Sequence, residues 1–88
     1  MTSPASLEDF RARIDALDAE LLTLLAKRRR LVGELFTWKD AHGLPRIDAA
    51  REDAVRSARC LEGESVGVPA ALAEAVFAAI LADARSRA

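Results

Sequence analysis

Five charged residues are spaced so that they could bind and orient a small dianion. Arg28 and Lys39 lie 11 residues apart, almost three turns of an α-helix and ~16 Å of rise, so their side chains would share one face. Arg51 adds a third cation, and Asp48 and Glu52 add acceptors suited to a hydroxyl group. Cations fixed against carboxylates can hold a flexible ligand in a single geometry.

Arg11 is a further cation that one chain cannot bring to the same ligand. It precedes Lys39 by 28 residues, which is four heptads and ~42 Å along one helix. In an antiparallel pair of long helices, however, Arg11 of one chain could fall between Arg28 and Lys39 of the other. The spacing therefore predicts a binding site built from two copies of the chain.

Motifs for other common chemistries are missing from the sequence. There is no glycine-rich phosphate loop, no His-x-x-x-His pair and no nucleophile with an obvious base. The single histidine, His42, is expected as a solvated residue at the end of the first helix, and the single cysteine, Cys60, as a packing residue. One cysteine also excludes an intrachain disulfide and a cysteine-rich zinc site. We therefore predict no metal and no cofactor.

One very long helix is needed to position these cations. Apolar residues recur with the alternating spacing of a coiled-coil seam over about residues 5–41, a length of ~50 Å. Ser3, Pro4 and Ser6 offer helix-start residues. The seam has one polar exception, Arg28, which either sets the register or points into an interior polar pocket. The seam residues are Leu7, Phe10, Ile14, Leu17, Leu21, Leu24, Leu31, Leu35 and Trp38.

Two shorter helices are predicted after the long one. A Gly-Leu-Pro turn at 43–45 ends the first helix, and Asp48 is placed to cap a second helix that runs to about Leu61. The next break is predicted from Gly63 onward, followed by a third helix over about residues 70–87. The fold class is therefore all-α, with one very long N-terminal helix and two shorter ones.

The chain is too short to bury a large core of its own. It has 88 residues and a formal net charge of −1, and a partner chain is the remaining source of buried surface because no disulfide or metal is predicted. Its 13 basic and 14 acidic residues give no general attraction to nucleic acid or to an anionic membrane. With no signal peptide and no apolar run of ~18–20 residues, we predict one cytoplasmic domain over residues 1–88.

One ordered pattern runs along nearly the whole chain. It reads Leu-x-x-x-Arg11-x-x-Ile14-Asp-x-Leu17-Asp18-x-x-Leu21-Leu22-x-Leu24-Leu25-x-x-Arg28, then Lys39, then Gly43-Leu44-Pro45, then Asp48-x-x-Arg51-Glu52, with Gly67-Val68-Pro69 and Phe77-x-x-Ile80 continuing it. This pattern resembles the all-helical chorismate mutase family and the mutase domains fused to prephenate dehydratase or dehydrogenase. Each piece is weak alone, whereas the ordered set of charged residues is specific.

The resemblance implies an intertwined homodimer of three-helix chains with two equivalent sites, each built from both subunits. It implies that Arg11 reaches in from the partner chain and binds one carboxylate of a dianionic substrate, while Arg28 binds the other. Lys39 would bind a carboxylate and the ether oxygen of the substrate. Arg51 would support the carboxylate region.

The reaction implied by the resemblance is the concerted [3,3] rearrangement of chorismate to prephenate in aromatic amino acid biosynthesis. Such a rearrangement needs no nucleophile, metal or redox cofactor. Asp48 and Glu52 would hold the ring hydroxyl. A fixed Lys39 ammonium would favour the transition state, because negative charge builds on the ether oxygen as the C–O bond breaks. The predicted catalytic residues are therefore Lys39, Arg28 and Glu52.

The third helix departs from the family pattern. The family usually has a serine and, one turn later, a glutamine or glutamate where this chain has Ala84 and Ala88, and losing a transition-state donor typically costs ~3–4 kcal/mol. Either Arg85 supplies the missing cation, or the enzyme is slow alone and needs an activating partner enzyme, or its substrate is not plain chorismate. Leu81 is expected to line the same part of the site.

Two kinds of alternative remain open. A pathway variant on the same scaffold would be a 4-amino-4-deoxychorismate mutase or an isochorismate pyruvate-lyase of secondary metabolism, and Asp48 and Glu52 would serve an ammonium as readily as a hydroxyl. A non-catalytic helical dimerisation module would explain the heptads. It would explain neither Arg28 within the seam nor the charged cluster between Lys39 and Glu52.

Overall fold

Three α-helices make up the part of the chain that the structure, a computed structural model, describes, which is residues 6–88. The helices are α1 (Leu7–Ala41), α2 (Ala49–Ser65) and α3 (Ala70–Ser86). The predicted all-α fold with one long N-terminal helix is confirmed. Ser3 and Pro4, two of the predicted helix-start residues, lie outside the described residues.

Both ends of α1 follow from local hydrogen bonding. At the start, the Ser6 hydroxyl oxygen accepts the backbone N–H of Asp9 at 3.2 Å, which satisfies one of the N–H groups that a helix start leaves unpaired. At the end, Gly43 adopts a φ of +67°. The N–H of Leu44 then reaches the carbonyl of Lys39 at 2.9 Å, the bond of a Schellman turn.

The second helix is longer than predicted, because its stop signal is Gly67 and not Gly63. Gly67 has a φ of +90°, and the N–H of Val68 bonds the Gly63 carbonyl at 2.8 Å in a second Schellman turn. Gly63 stays helical. A Cβ there would lie 3.3 Å from the Val68 carbonyl oxygen and 3.4 Å from the Cβ of Ala73, so this glycine allows a close approach of the chain that follows α2.

The described residues form two compact units, one ending at Glu34 and one over Leu35–Ala88. In the second unit α2 packs against α3. Phe36, Val55 and Ala73 are the buried apolar residues of the described chain. A core of three buried side chains is thin, as the length of the chain predicts.

The apolar seam of α1 remains largely exposed in the single chain. Leu17, Leu24 and Leu31 each expose more than three-fifths of their surface, and large apolar patches on a protein surface commonly mark interfaces. Within residues 6–88, no helix combines the length and the apolar character needed to cross a membrane.

Replacing Gly67 tests the stop signal of α2. We expect Gly67→Ala to lower the free energy of unfolding by about 1–2 kcal/mol, because a Cβ disfavours the left-handed backbone region. Among residues 6–88, no atom outside Gly67 and its two chain neighbours lies within 4 Å of the added Cβ, so the loss would reflect the backbone alone. Urea unfolding at one fixed protein concentration measures it.

Gly67→Asn is the matched control for this experiment. Asparagine tolerates the left-handed region better than alanine, so it should lose less stability. An alanine variant as stable as the parent would contradict the assignment of Gly67 as the stop signal.

Candidate active site

The predicted cations of the first unit lie on α1. Arg11 is exposed, whereas Arg28, the polar exception in the apolar seam, is half-buried. The remaining predicted charged residues belong to the second unit. These are Lys39, Asp48, Arg51, Glu52 and Arg85.

Lys39 is held by the loop between α1 and α2. Its ammonium donates a hydrogen bond to the Arg46 carbonyl oxygen at 3.2 Å, and its side chain is half-buried. Arg46 in turn donates from Nε and Nη2 to the two carboxylate oxygens of Asp40, at 3.0 and 2.5 Å. The Arg46 guanidinium also lies 5.3 Å from the centre of the Phe36 ring, so the loop that positions Lys39 is anchored to α1 twice.

Arg46 is a site residue that the sequence analysis missed. Its bonds to Asp40 hold the pKa of that carboxyl below its usual range. The only sequence signal was an acid and a base six residues apart across a glycine turn, a separation that has no fixed geometry until the turn is known.

Asp48 caps α2 with the side chain that was predicted to accept a ring hydroxyl. Its Oδ1 accepts the backbone N–H of Arg51 at 3.0 Å, and its extended backbone is typical of an N-cap residue. The predicted cap is therefore confirmed. One carboxylate oxygen is engaged by the helix start, and the other is available to a ligand. The Arg51 side chain is exposed.

Glu52 and Arg85 form an ion pair between α2 and α3. Arg85 Nη2 lies 2.5 Å from Glu52 Oε2, and Arg85 Nε lies 3.3 Å from Oε1. The Glu52 side chain is 21% exposed and that of Arg85 52%. The hydrogen bonds from Arg85 lower the pKa of Glu52, and the same bonds raise the pKa of Arg85. Glu52 is thus an ionised acceptor around neutral pH.

This ion pair lines a cleft of about 240 Å³ between α2 and α3. Charged side chains line it together with small apolar ones, so the cleft could take a small ligand that has polar and apolar parts. Leu81 and Arg85, both predicted to line the site, are among its walls, whereas Ala84 and Ala88 are not. The lining residues are Ala49, Glu52, Asp53, Arg56, Ala78, Leu81, Ala82 and Arg85.

A second ion pair, between Arg56 and Glu74, lies beside the cysteine. Arg56 Nε donates to Glu74 Oε1 at 2.8 Å, and the Cys60 thiol lies 3.8 Å from Glu74 Oε2. Burial and the nearby carboxylate raise the pKa of Cys60. Cys60 is therefore a protonated, half-buried thiol, which agrees with a packing role.

His42 is exposed at the end of α1 and stacks on Trp38. The ring centres are 3.9 Å apart, and His42 Nδ1 lies 2.8 Å from the Trp38 carbonyl oxygen. No three His, Cys, Asp or Glu side chains among residues 6–88 cluster as a metal ion would need.

The Glu52–Arg85 pair predicts a loss of stability in acid. The pKa of Glu52 is below its ordinary value of 4.5, so the unfolded chain binds a proton more readily than the folded chain. The stability that the pair contributes is therefore present above pH 4.5 and lost as the pH falls through the lower, folded-state pKa. In urea unfolding below pH 4.5, we expect Arg85→Met to show a shallower decline than the parent chain.

Glu52→Gln tests the same pair from its other side. It removes the same titration, so it should give the same shallower decline, and the double variant should add nothing further. A decline as steep in both single variants as in the parent would contradict this assignment.

Comparison with known proteins gives a matching family model and two similar relatives. The family model for chorismate mutase type II matches residues 10–88. A T-protein of Haemophilus influenzae is 44% identical over 77 residues, which is 88% of this chain and 20% of that protein. A T-protein of Enterobacter agglomerans is 40% identical over 77 residues, covering 88% of this chain and 21% of the relative.

The chain thus spans about a fifth of the length of these curated relatives. No solved structure matches it. The family match covers all three helices apart from the first turn of α1, and it contains every charged residue of the candidate site. The chain belongs to the chorismate mutase type II family.

Proposed function

We propose that this chain is a chorismate mutase, which rearranges chorismate to prephenate. The observation that carries the proposal is the family match over residues 10–88, a range that includes all the cations and carboxylates of the candidate site. The reaction forms one C–C bond and breaks one C–O bond within a single molecule. It therefore needs a site that orients and stabilises charge, which is what cations and carboxylates can supply.

The mechanism proposed for the site is positioning followed by charge stabilisation. Arg28, with Arg11 from a second copy, binds the two carboxylates of chorismate and holds its side arm over the ring. Lys39 faces the ether oxygen, where negative charge grows as the C–O bond breaks, so its ammonium binds the transition state more strongly than the substrate. The Lys39–Arg46 contact of 3.2 Å supports this role, because an ammonium already fixed needs little reorganisation.

The ring hydroxyl is assigned to the start of α2. Glu52 is ionised and half-buried in the cleft, and Asp48 keeps one carboxylate oxygen free of the helix cap. Arg51 supports the carboxylate region of the substrate. Ala84 and Ala88 offer no side-chain hydrogen bond, so an activating partner enzyme remains part of the proposal.

We further propose that the active protein is an intertwined homodimer. The support is the exposed apolar seam of α1, whose residues would be buried by a second copy of the same helix. Two chains related by a two-fold axis would bury the seam twice and exchange Arg11 between sites. Residues 1–88 are proposed as one cytoplasmic mutase domain whose substrate is chorismate.

Replacing Lys39 tests the proposed mechanism. We expect purified parent protein to convert chorismate to prephenate, and Lys39→Met to lower kcat by a factor on the order of 10²–10³, the usual cost of losing one donor to a developing oxyanion. Following the loss of chorismate by absorbance measures both.

Lys27→Met is the matched control, because Lys27 is an exposed lysine on the same helix and is not one of the proposed site residues. Its kcat should stay within about threefold of the parent. A parent protein without turnover would contradict the proposed function, and a Lys39→Met variant as active as the control would contradict the mechanism.

Replacing a seam leucine tests the dimer. Leu17→Glu places a charge in the seam, and we expect it to raise the dimer dissociation constant about tenfold or more, since a carboxylate would be buried without a partner. Sedimentation at micromolar concentration measures the state of association. Leu22→Glu, on the same helix and equally exposed but outside the seam, should remain dimeric, and a monomeric parent protein would contradict the proposal.

A further inference from the structure

The charges that line the α2–α3 cleft are balanced. Two carboxylates, Glu52 and Asp53, face two guanidinium groups, Arg56 and Arg85. A cleft with balanced charge has no net attraction for a ligand cation. A neutral hydrogen-bonding group can enter it without displacing any of these charges.

Arg85, on α3, engages both oxygens of Glu52, on α2. The contacts are 2.5 and 3.3 Å, and Arg85 is the more exposed partner. A carboxylate has about four lone-pair sites, so the pair leaves acceptor capacity on Glu52 for one more donor. What the pair removes is the unbalanced negative charge.

The other charges around Glu52 do not restore that negative charge. Asp48 raises the pKa of Glu52 through repulsion, but this effect is smaller than that of Arg85. Asp48 also caps the N-terminus of α2, whose positive end stabilises a carboxylate. Arg56 is bound to Glu74, so Arg85 is the guanidinium bonded to Glu52.

We propose that Arg85 determines substrate specificity by making the Glu52 end of the cleft accept a neutral hydroxyl and disfavour an ammonium. This inference rests on the proposed function, in which Glu52 binds the ring substituent. The sequence alone did not distinguish a ring hydroxyl from a ring ammonium, because isolated carboxylates at positions 48 and 52 would bind either group. An ammonium beside Glu52 would lie within a few ångströms of the Arg85 guanidinium, and like charges at that distance repel.

The test compares chorismate with 4-amino-4-deoxychorismate, which carries an ammonium in place of the ring hydroxyl. We expect the parent protein to prefer chorismate in kcat/KM. Arg85→Met should raise the ratio of kcat/KM for the amino substrate to kcat/KM for chorismate about tenfold or more. This is the change expected when one of two nearby like charges is removed. Glu52→Gln should lower the ratio, since it leaves Arg85 unpaired.

Two variants serve as controls. Arg85→Lys retains the positive charge and should keep the parent preference within about threefold. Arg59→Met makes the same change as Arg85→Met on an arginine that pairs with Glu62 and does not line the cleft, so the ratio should not change. Circular dichroism of each variant separates a loss of fold from a change of preference.

The outcomes distinguish this inference from the function on which it rests. A ratio unchanged in Arg85→Met would overturn the inference while leaving the mutase function intact. A parent protein that prefers the amino substrate would overturn both the inference and the choice of chorismate as the substrate. An equal loss on both substrates would also overturn it, because Arg85 would then act on atoms that both share, such as the ether oxygen. Turnover of neither substrate by the parent would overturn the proposed function, and the inference with it.

Discussion

The shortage of buried apolar surface is the constraint on which the rest of the structure depends. Only Phe36, Val55 and Ala73 are buried among residues 6–88, while the apolar seam of α1 faces outward. Burying apolar surface is the dominant favourable contribution to folding, so a second copy of α1 is the natural source of what one chain lacks. In the proposed homodimer, folding stability and the assembly of a shared site would be the same event.

A second regularity concerns three of the proposed site residues of the second unit, each of which also has a structural bond. Lys39 donates to the Arg46 carbonyl, Asp48 caps α2 and Glu52 pairs with Arg85. These bonds reduce the freedom of the side chains before any ligand arrives. Pre-organised groups contribute more to catalysis than mobile ones, because less ordering remains to be done in the transition state.

Much of the fold could be predicted from the sequence, because its signals are local. The heptad spacing predicted α1, and Asp48 predicted the start of α2, since a cap depends on residues three positions apart. The predicted end of α2 was wrong, because Gly63 and Gly67 are both possible stop residues and only the backbone conformation distinguishes them.

The contacts of the site were less predictable because they depend on packing. The Glu52–Arg85 pair joins residues 33 positions apart, and the Arg46–Asp40 pair depends on the conformation of a turn. Neither ion pair has a characteristic sequence separation from which it could be predicted. The sequence indicated which charged residues of the second unit are candidates for the site. The structure adds which of them are bonded to one another.

The two Schellman turns have a consequence for the order of folding. Each connects its helix to the next segment through hydrogen bonds that span at most five residues, and α2 packs on α3 just beyond such a turn. Contacts so close along the chain form quickly, since little loop entropy is lost. The α2–α3 hairpin can therefore form within a single newly made chain, and in the proposed homodimer the pairing of α1 with a second copy would be the concentration-dependent step.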